Sequence, residues 1–487
     1  MDDIRVFYKR HQAVRGFGLP NGEAVLFHPD TGMDMVINPV ARLIWENLSP
    51  AIDSRTMKHI VMNATEGADP ESIDTDIADF YRELSETFMI IPISGGGPNS
   101  VSPQSDDHGS DAENGPPAIA GNWHDAPSYL DISLTHQCNL HCPYCFYDDE
   151  MTVRQDLTTE QWIQFFRSIE CLPVKELVLS GGEVFTRKDL PDLLEAIVAA
   201  CKRFSILTNG TLIDERWVDV LSKVQHRLSY VQFSIDGSCS TIHDRIRGRG
   251  SFEKTMRGLQ WIRGADLPVM VRMTINRYNV DDIRATIRFL LEELGLPKVG
   301  TNDVVTVGAG CRQDIGLNIE QQVQAMKDLI ELSDIFPGRI QASAGPLARY
   351  RFYRDIDRAM AGEIVEQHNR MGRLTSCGCM GMKLAIRHDG VISPCNMLSD
   401  AHLGQILTDS LTEVWQSHPI LESMRRRSEI HLRDIPECAD CPYADYCTGN
   451  CPAPRFVETG QLNLPNRSDC YRRFLEQTGG FKPWATR

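Results

Sequence analysis

Nowhere in this chain of 487 residues do 18 apolar residues run together, so no segment could cross a bilayer as a helix. The opening residues, MDDIRVFYKRHQ, carry charge where an export signal would carry an apolar core. Secretion is therefore not expected, and a cytoplasmic chain with no membrane partner is. Positive charge is in deficit as well, with 50 Lys and Arg against 66 Asp and Glu for a formal net charge of −16. Sequence-independent binding of nucleic acid rests on basic surface and is not expected either. No internal repeat is visible. What remains is an ordinary globular composition, 42% hydrophobic and 24% charged. The length suggests roughly two to four domains.

Cysteine is abundant, with 15 residues. In a cytosolic chain these stay reduced. Cys171, Cys201, Cys239 and Cys311 are scattered singly and read as small buried hydrophobes. The other eleven gather at 138–145 and 377–470, and such clusters read as metal binding. The first group, Cys138, Cys142 and Cys145, is spaced C-x3-C-x2-C directly after the strand-like YLDISLT. One loop so spaced can wrap an inorganic cluster, each thiolate on a different iron. A fourth thiol is missing, which leaves one iron of a cubane open to an exogenous ligand. A zinc knuckle is the alternative for the same spacing. The second group is Cys377-Gly-Cys379, Cys395 in IRHDGVISPC, then Cys438-x2-Cys441-x5-Cys447-x3-Cys451 and Cys470. Its C-x2-C pair would also suit tetrahedral zinc.

Along the chain, residues 1–93 read as a small domain. EAVLF (23–27) and MDMVIN (33–38) are strands joined by a turn. Asn38-Pro39 starts a helix whose apolar face is Val40, Leu43, Ile44 and Leu48. A second helix is expected over Ser54–Ala64 and a third from about Asp74 to Met89, before the strand-like IIPI. Residues 94–127, rich in Gly, Pro, Ser and Asp, form a flexible linker. From 128 to 310 strands alternate with amphipathic stretches, which implies a parallel sheet with helices outside. The strands are YLDISLT, VKELVLSGG, FSILTNG, YVQFSIDG, PVMVRMTIN and DVVTVGAG. Residues 311–370 are a helical bridge, and 371–487 are a cysteine-rich tail whose one long periodic stretch is LTEVWQSHPILESMRR.

Polar residues fall at the predicted strand ends, where β/α folds place their chemistry. Gly181-Gly182-Glu183 closes the second strand, and glycines there permit close backbone approach to a ligand. A carboxylate at that point can accept bonds from an ammonium group. Thr208-Asn209-Gly210 ends the third strand, and Ser234 and Asp236, two residues apart, end the fourth. Asp-Gly is itself a turn signal, so a satisfied turn is the plainer account of Asp236. Arg245, Arg247 and Arg249 follow in a stretch read as a solvated loop, although each could contact a carboxylate. Tyr144 and Phe146 flank the last thiol of the first group.

These motifs resemble the radical S-adenosylmethionine (SAM) superfamily, and the tail resembles the SPASM domain of its peptide-modifying members. The resemblance implies an α/β chain built on a partial (β/α)6 barrel, with a winged-helix-like N-terminal domain and a C-terminal SPASM domain. It implies a [4Fe–4S] cluster on Cys138, Cys142 and Cys145 that binds SAM. Gly181, Gly182 and Glu183 would hold the methionyl amine. Ser234 and Asp236 would hold the ribose, with Thr208 and Asn209 nearby and the adenine beside Tyr144 and Phe146. Two auxiliary iron–sulfur clusters are implied: an outer one on Cys438, Cys441, Cys447 and Cys470, and an inner one on Cys395 and Cys451 with Cys377 and Cys379. The C-x-C at 377–379 is tighter than that family's usual spacing. Residues 1–93 resemble the precursor-recognition domain that presents the pyrroloquinoline-quinone precursor peptide. The expected substrate is thus a precursor peptide or small protein, with an external electron donor of flavodoxin or ferredoxin type. The reaction expected is hydrogen abstraction leading to a thioether or other crosslink, as in the maturase of quinohemoprotein amine dehydrogenase. Oxidation of a protein side chain, as in sulfatase maturases, is the alternative within the superfamily. A scaffold or electron carrier without SAM chemistry is the alternative outside it.

Overall fold

A computed structural model describes residues 7–10, 14–18, 24–27, 34–48, 52–64, 70–86, 89–93, 126–146, 155–305, 314–363, 365, 371–374 and 381–484. The chain divides into two compact units, Met1–Ala126 and Pro127–Arg487. The expected linker, 94–127, lies almost wholly outside the described residues, as do Cys311, Cys377 and Cys379.

The first unit has strands β1 (Phe7–Arg10), β2 (Arg15–Gly18), β3 (Ala24–Phe27), β4 (Asp34–Ile37), β5 (Ile52–Asp53) and β6 (Ile90–Ile93). They form two small antiparallel sheets, β2-β3-β4 and β5-β1-β6. The expected strands are β3, β4 and β6; β1, β2 and β5 are too short to show a period. Helix Pro39–Asn47 begins as read, with Asn38 Oδ1 accepting from Ala41 N–H at 2.8 Å. Its buried face differs from the expected one. Val40 is 39% exposed, and Trp45 joins Ile44 and Leu48 in the core. Helix Ser54–Ala64 is as expected, while the third runs Pro70–Glu86. Its start is marked by Pro70, whose missing N–H costs nothing in the first turn.

The second unit is a ten-stranded sheet. Strands β7 (Tyr129–Ser133), β8 (Glu176–Ser180), β9 (Arg203–Thr208), β10 (Leu228–Ser234), β11 (Val269–Ile275), β12 (Val299–Asp303) and β13 (Ile340–Ala342) are parallel neighbours in chain order. β14 (Lys383–Ile386) adds in parallel to the free side of β7, followed by antiparallel β15 (Val391–Ser393) and β16 (Gly404–Gln405). An order without reversal winds in one sense, as in a barrel sector; a doubly wound sheet reverses at a switch point. Helices occupy every crossover, as parallel pairing requires. Helix Thr159–Ser168 shows how sequence sets one of them. Thr158 and Gln161 close a capping box, and Trp162, Phe165 and Phe166 bury one face.

Four expectations are corrected here. The sixth strand is VGTND, not DVVTVGAG, whose residues beyond Val305 lie outside the described set. Gly, Asn and Asp are poor strand formers; pairing with β11 and β13 on both sides holds this one extended. The bridge contains β13 between helices Ile319–Ile335 and Gly345–Met360. The periodic stretch in the tail is two helices, Leu411–Ser417 and Pro419–Arg425, because Pro419 disfavours helical backbone at His418. Cys171, Cys201 and Cys239 are exposed, so they are not the small core residues expected. Trp162 is fully buried and stacks on Phe166 at 5.9 Å. Trp162→Ala is expected to destabilise the second unit by about 3–5 kcal/mol, read as a lower thermal midpoint of the full chain.

Candidate active site and metal centres

The loop bearing the first three thiols is fixed from three sides. From β8, Gly182 N–H donates to Thr135 O and Glu183 N–H to Gln137 O, both at 2.7 Å. From the side, Asp156 accepts from Thr135 Oγ1 (2.5 Å) and His136 N–H (2.9 Å), and it pairs with His136 Nδ1 at 2.7 Å. From the end of β9, Asn209 Nδ2 donates to Asn139 Oδ1 at 3.0 Å, while Asn139 Nδ2 donates to Thr211 Oγ1 at 2.8 Å. The glycines permit a close approach to the loop's backbone. A Cβ at Gly181 would lie 2.4 Å from Thr135 O, and one at Gly182 2.3 Å from Gln137 O.

The loop roofs a cavity of about 590 Å³ at the C-terminal ends of the strands. Ligand sites fall in the range of roughly 300–1,000 Å³. Cys138, Cys142, Cys145, Tyr144, Phe146, Gly181, Gly182, Glu183, Thr208, Asn209 and Ser234 all line it. Three thiols converging on one wall have the donor chemistry of an iron–sulfur loop, and the strand ends beside them leave room for a ligand of the open iron. Burial pushes the Cys142 thiol up to about 11 and raises that of Cys138 too. A bound cation must therefore displace protons from these thiols. Glu183 is buried at the cavity wall, accepting from Thr208 Oγ1 (2.7 Å), Asn209 N–H (2.8 Å) and Phe185 N–H (3.3 Å). Burial raises its pKa and those bonds oppose the rise. A carboxylate has about four acceptor positions, so capacity remains for a donor in the cavity. Thr208 and Asn209 thus orient Glu183 and the loop with their own polar groups.

Asp236 does not line the cavity. It is fully buried, with Oδ1 accepting from Thr274 N–H at 2.8 Å. Its Oδ2 takes Arg247 Nε at 2.6 Å and the Tyr144 hydroxyl. Asp236 is thus the residue that holds Arg247 and Tyr144, and Ser234 is the one of the expected pair that lines the cavity. That arginine, read from sequence as part of a solvated loop, is 7% exposed and lines the cavity. Arg245 and Arg249 are exposed as expected. His243, pushed down to about 4 by burial and then by Arg247, accepts from Asp236 N–H through Nδ1 and stays neutral. Sequence reading also missed Gln232, Arg272 and Thr274 on the cavity wall. Their signal was present: polar residues at every second position of β10 and β11, inside otherwise apolar strands.

A second cavity, of about 390 Å³, is lined by Cys438, Cys441, Cys447 and Cys470 together. Burial pushes Cys438 up to about 11 and Cys447 to about 12, with neighbouring thiols adding to the rise. Cys395 and Cys451 lie apart from this cavity. They precede the turn Asn396–Leu398 and the helix Ala453–Thr459, two elements that pack on each other. Arg349 ties this region to the barrel, bonding Asp303 at the end of β12 (2.6 Å) and Asp469, the neighbour of Cys470 (2.5 Å).

The Radical SAM superfamily model matches residues 132–290, and that of an iron–sulfur cluster-binding domain, SPASM, matches residues 377–442. Similar proteins include the Fe-coproporphyrin III synthase of Methanosarcina barkeri, 28% identical over 65% of this chain and 81% of that protein. The sporulation killing factor maturation protein SkfB of Bacillus subtilis is 28% identical over 61% of this chain and 67% of that one. Streptococcus suis SuiB, crystallised with its precursor peptide SuiA, shares the fold with a TM-score of 0.65 at 15% identity, over 95% of this chain and 99% of that one. No helix among the described residues is long and apolar enough to cross a membrane. With three thiols at the strand ends of a parallel barrel sector and four more around a second cavity, the chain carries a Radical SAM domain over residues 132–290 and an SPASM iron–sulfur cluster-binding domain over residues 377–442.

Proposed function

We propose that this enzyme matures a ribosomally made peptide by forming a crosslink, with a thioether the first candidate. The observation that carries the reading is one cavity where three thiols, the Glu183 carboxylate and the strand-end polar groups meet. A separate N-terminal unit with two small open-edged sheets supports a peptide substrate, because such edges can accept a peptide as an added strand. SuiB, which is similar over that unit as well, was crystallised with a precursor peptide.

In this reading residues 1–93 bind the leader and 94–127 tether it. Residues 128–310 form the barrel, 311–370 bridge it to the tail, and 371–487 carry the auxiliary clusters. When bound, the iron–sulfur cluster and SAM supply a 5′-deoxyadenosyl radical that removes a hydrogen atom from a substrate carbon. Cys138, Cys142 and Cys145 hold the cluster. Glu183 receives the methionyl ammonium, with its carboxylate aimed by Thr208 and Asn209. Ser234 faces the ribose, Tyr144 and Phe146 the adenine, and Arg247 offers a guanidinium to a carboxylate. Cys438, Cys441, Cys447 and Cys470 hold an outer auxiliary cluster, and Cys395 and Cys451, with Cys377 and Cys379, an inner one. Such clusters would supply an acceptor for the electron left after bond formation, and the first electron would come from an external flavodoxin or ferredoxin. Free thiols throughout the described residues suit a reducing, cytoplasmic setting.

Anaerobic reconstitution tests the chemistry. Full loading is expected to give roughly 8–12 irons per chain, and dithionite with SAM to give 5′-deoxyadenosine. Cys142→Ala should abolish that product; its persistence would remove the radical role from this loop. Short peptides encoded beside the gene are the candidate substrates, read by a mass change and by tandem mass spectrometry of the linked residues. Deleting residues 1–93 is expected to spare 5′-deoxyadenosine formation but to reduce peptide conversion at least tenfold. Equal conversion by the truncated enzyme would refute leader binding by that unit. Asp236→Asn leaves Arg247 as a buried charge without its carboxylate, a loss of about 3–5 kcal/mol, which should appear as a lower thermal midpoint together with weaker SAM binding.

A further inference from the structure

Two arginines in the barrel are left over by the chemistry above. On β11 Val271, Met273 and Ile275 are buried in the core, and by the two-residue period of a strand Met270, Arg272 and Thr274 face the other way. Arg272 lines the thiol-bearing cavity and also a second one, of about 460 Å³, along β11, β12 and β13. Arg351, on helix Gly345–Met360, lines that second cavity too. Neither guanidinium has a carboxylate partner among the described residues. The Arg272 side chain makes no hydrogen bond there, and Arg351 makes one, 3.5 Å to Ile340 O. By contrast, the buried Arg247 is paired with Asp236, and Arg349 with Asp303 and Asp469. Gly300 of β12, facing the same cavity, adds no side chain to fill it.

A guanidinium stays charged at any working pH, and its fork of donors matches a carboxylate in both charge and shape. Two of them lining one partly enclosed space, without a carboxylate partner among the described residues, make a receptor already formed for an anion. Arg272 sits where this space meets the thiol cavity, so an anion held there lies beside the reacting position. SAM has a carboxylate of its own that could reach Arg272. Arg351 does not line the thiol cavity, which separates the two roles.

We propose that Arg272 and Arg351 bind a carboxylate of the peptide substrate, so that the enzyme selects peptides with an acidic group at or next to the residue that reacts. The proposal rests on the peptide reading of the function. Its test reads binding without turnover, so it can fail separately from that reading. The probes are the capped tripeptides Ac-Gly-Glu-Gly-NH2 and Ac-Gly-Gln-Gly-NH2, and Ac-Gly-Gln-Gly with a free C-terminus. Each is titrated against the reconstituted enzyme with SAM by ligand-observed NMR.

The Glu probe, or the probe with a free C-terminus, is expected to bind at least tenfold more tightly than the neutral one. Which of the two binds tells a side-chain carboxylate from a terminal one. Arg351→Ala should remove the difference while SAM affinity and iron content stay as in the parent, and Arg272→Met should remove it as well. Arg351→Lys should restore part of it, which a purely structural role would not show. Equal binding of all three probes overturns the proposal. So does an unchanged preference in Arg351→Ala, or a loss in Arg272→Met that falls on SAM instead of the probe.

Discussion

Two backbone hydrogen bonds, from Gly182 N–H to Thr135 O and from Glu183 N–H to Gln137 O, set the geometry on which the first metal site depends. They make the end of β8 a clamp on the loop that leaves β7, so two neighbouring strand ends act as one rigid piece. The clamp is possible only because neither residue 181 nor residue 182 carries a Cβ. Its next residue turns a carboxylate into the cavity, and that carboxylate is held by the last residue of β9 and the N–H after it. Three consecutive strands are thereby locked at the level where the thiols sit. A site whose parts must stay in register is better built on strand ends than on free loops.

A buried ion pair stands behind each group of thiols. Asp236–Arg247 with Tyr144 backs the first, and Asp303–Arg349–Asp469 backs the second. Such pairs contribute little net stability, because desolvation offsets much of their attraction. What they give is position. Tyr144 lies in sequence between Cys142 and Cys145, so its hydroxyl ties the thiol loop to β10. Asp469 adjoins Cys470, so Arg349 fixes the last thiol of the second cavity to the end of β12. Breaking either pair leaves a lone charge in low dielectric, and that penalty keeps each loop in one conformation.

Much of this was legible in sequence because it is periodic or local. The strand ends at Ser180, Thr208 and Ser234 follow from β/α alternation and from Gly and Asn signals within a few residues. The helix start at Asn38-Pro39 and the capping box at Thr158 are local chemistry of the same sort. Apart from the helix boundaries at Pro70 and Pro419, the failures are tertiary. VGTND becomes a strand because two neighbours pair with it. Val40 yields its core position to Trp45 because the packing partner, invisible in one sequence, sits a few tens of degrees around the helix. Arg247 looked like loop because its carboxylate is eleven residues away on another element.

The overall charge of −16 hides a local inversion. Arg272 of β11 has no carboxylate partner among the described residues and lines a space otherwise shaped by thiols, Glu183 and the paired Arg247. An acidic surface does not attract acidic peptides, so diffusional steering cannot be how a carboxylate reaches this cavity. On the proposed function, delivery through a separate binding unit would overcome that barrier, since tethering raises the local concentration of the attached segment without any favourable long-range field. The proposed acidic substrate would then meet an exterior that discourages untethered acidic peptides and a cavity whose arginines hold the one that is brought in.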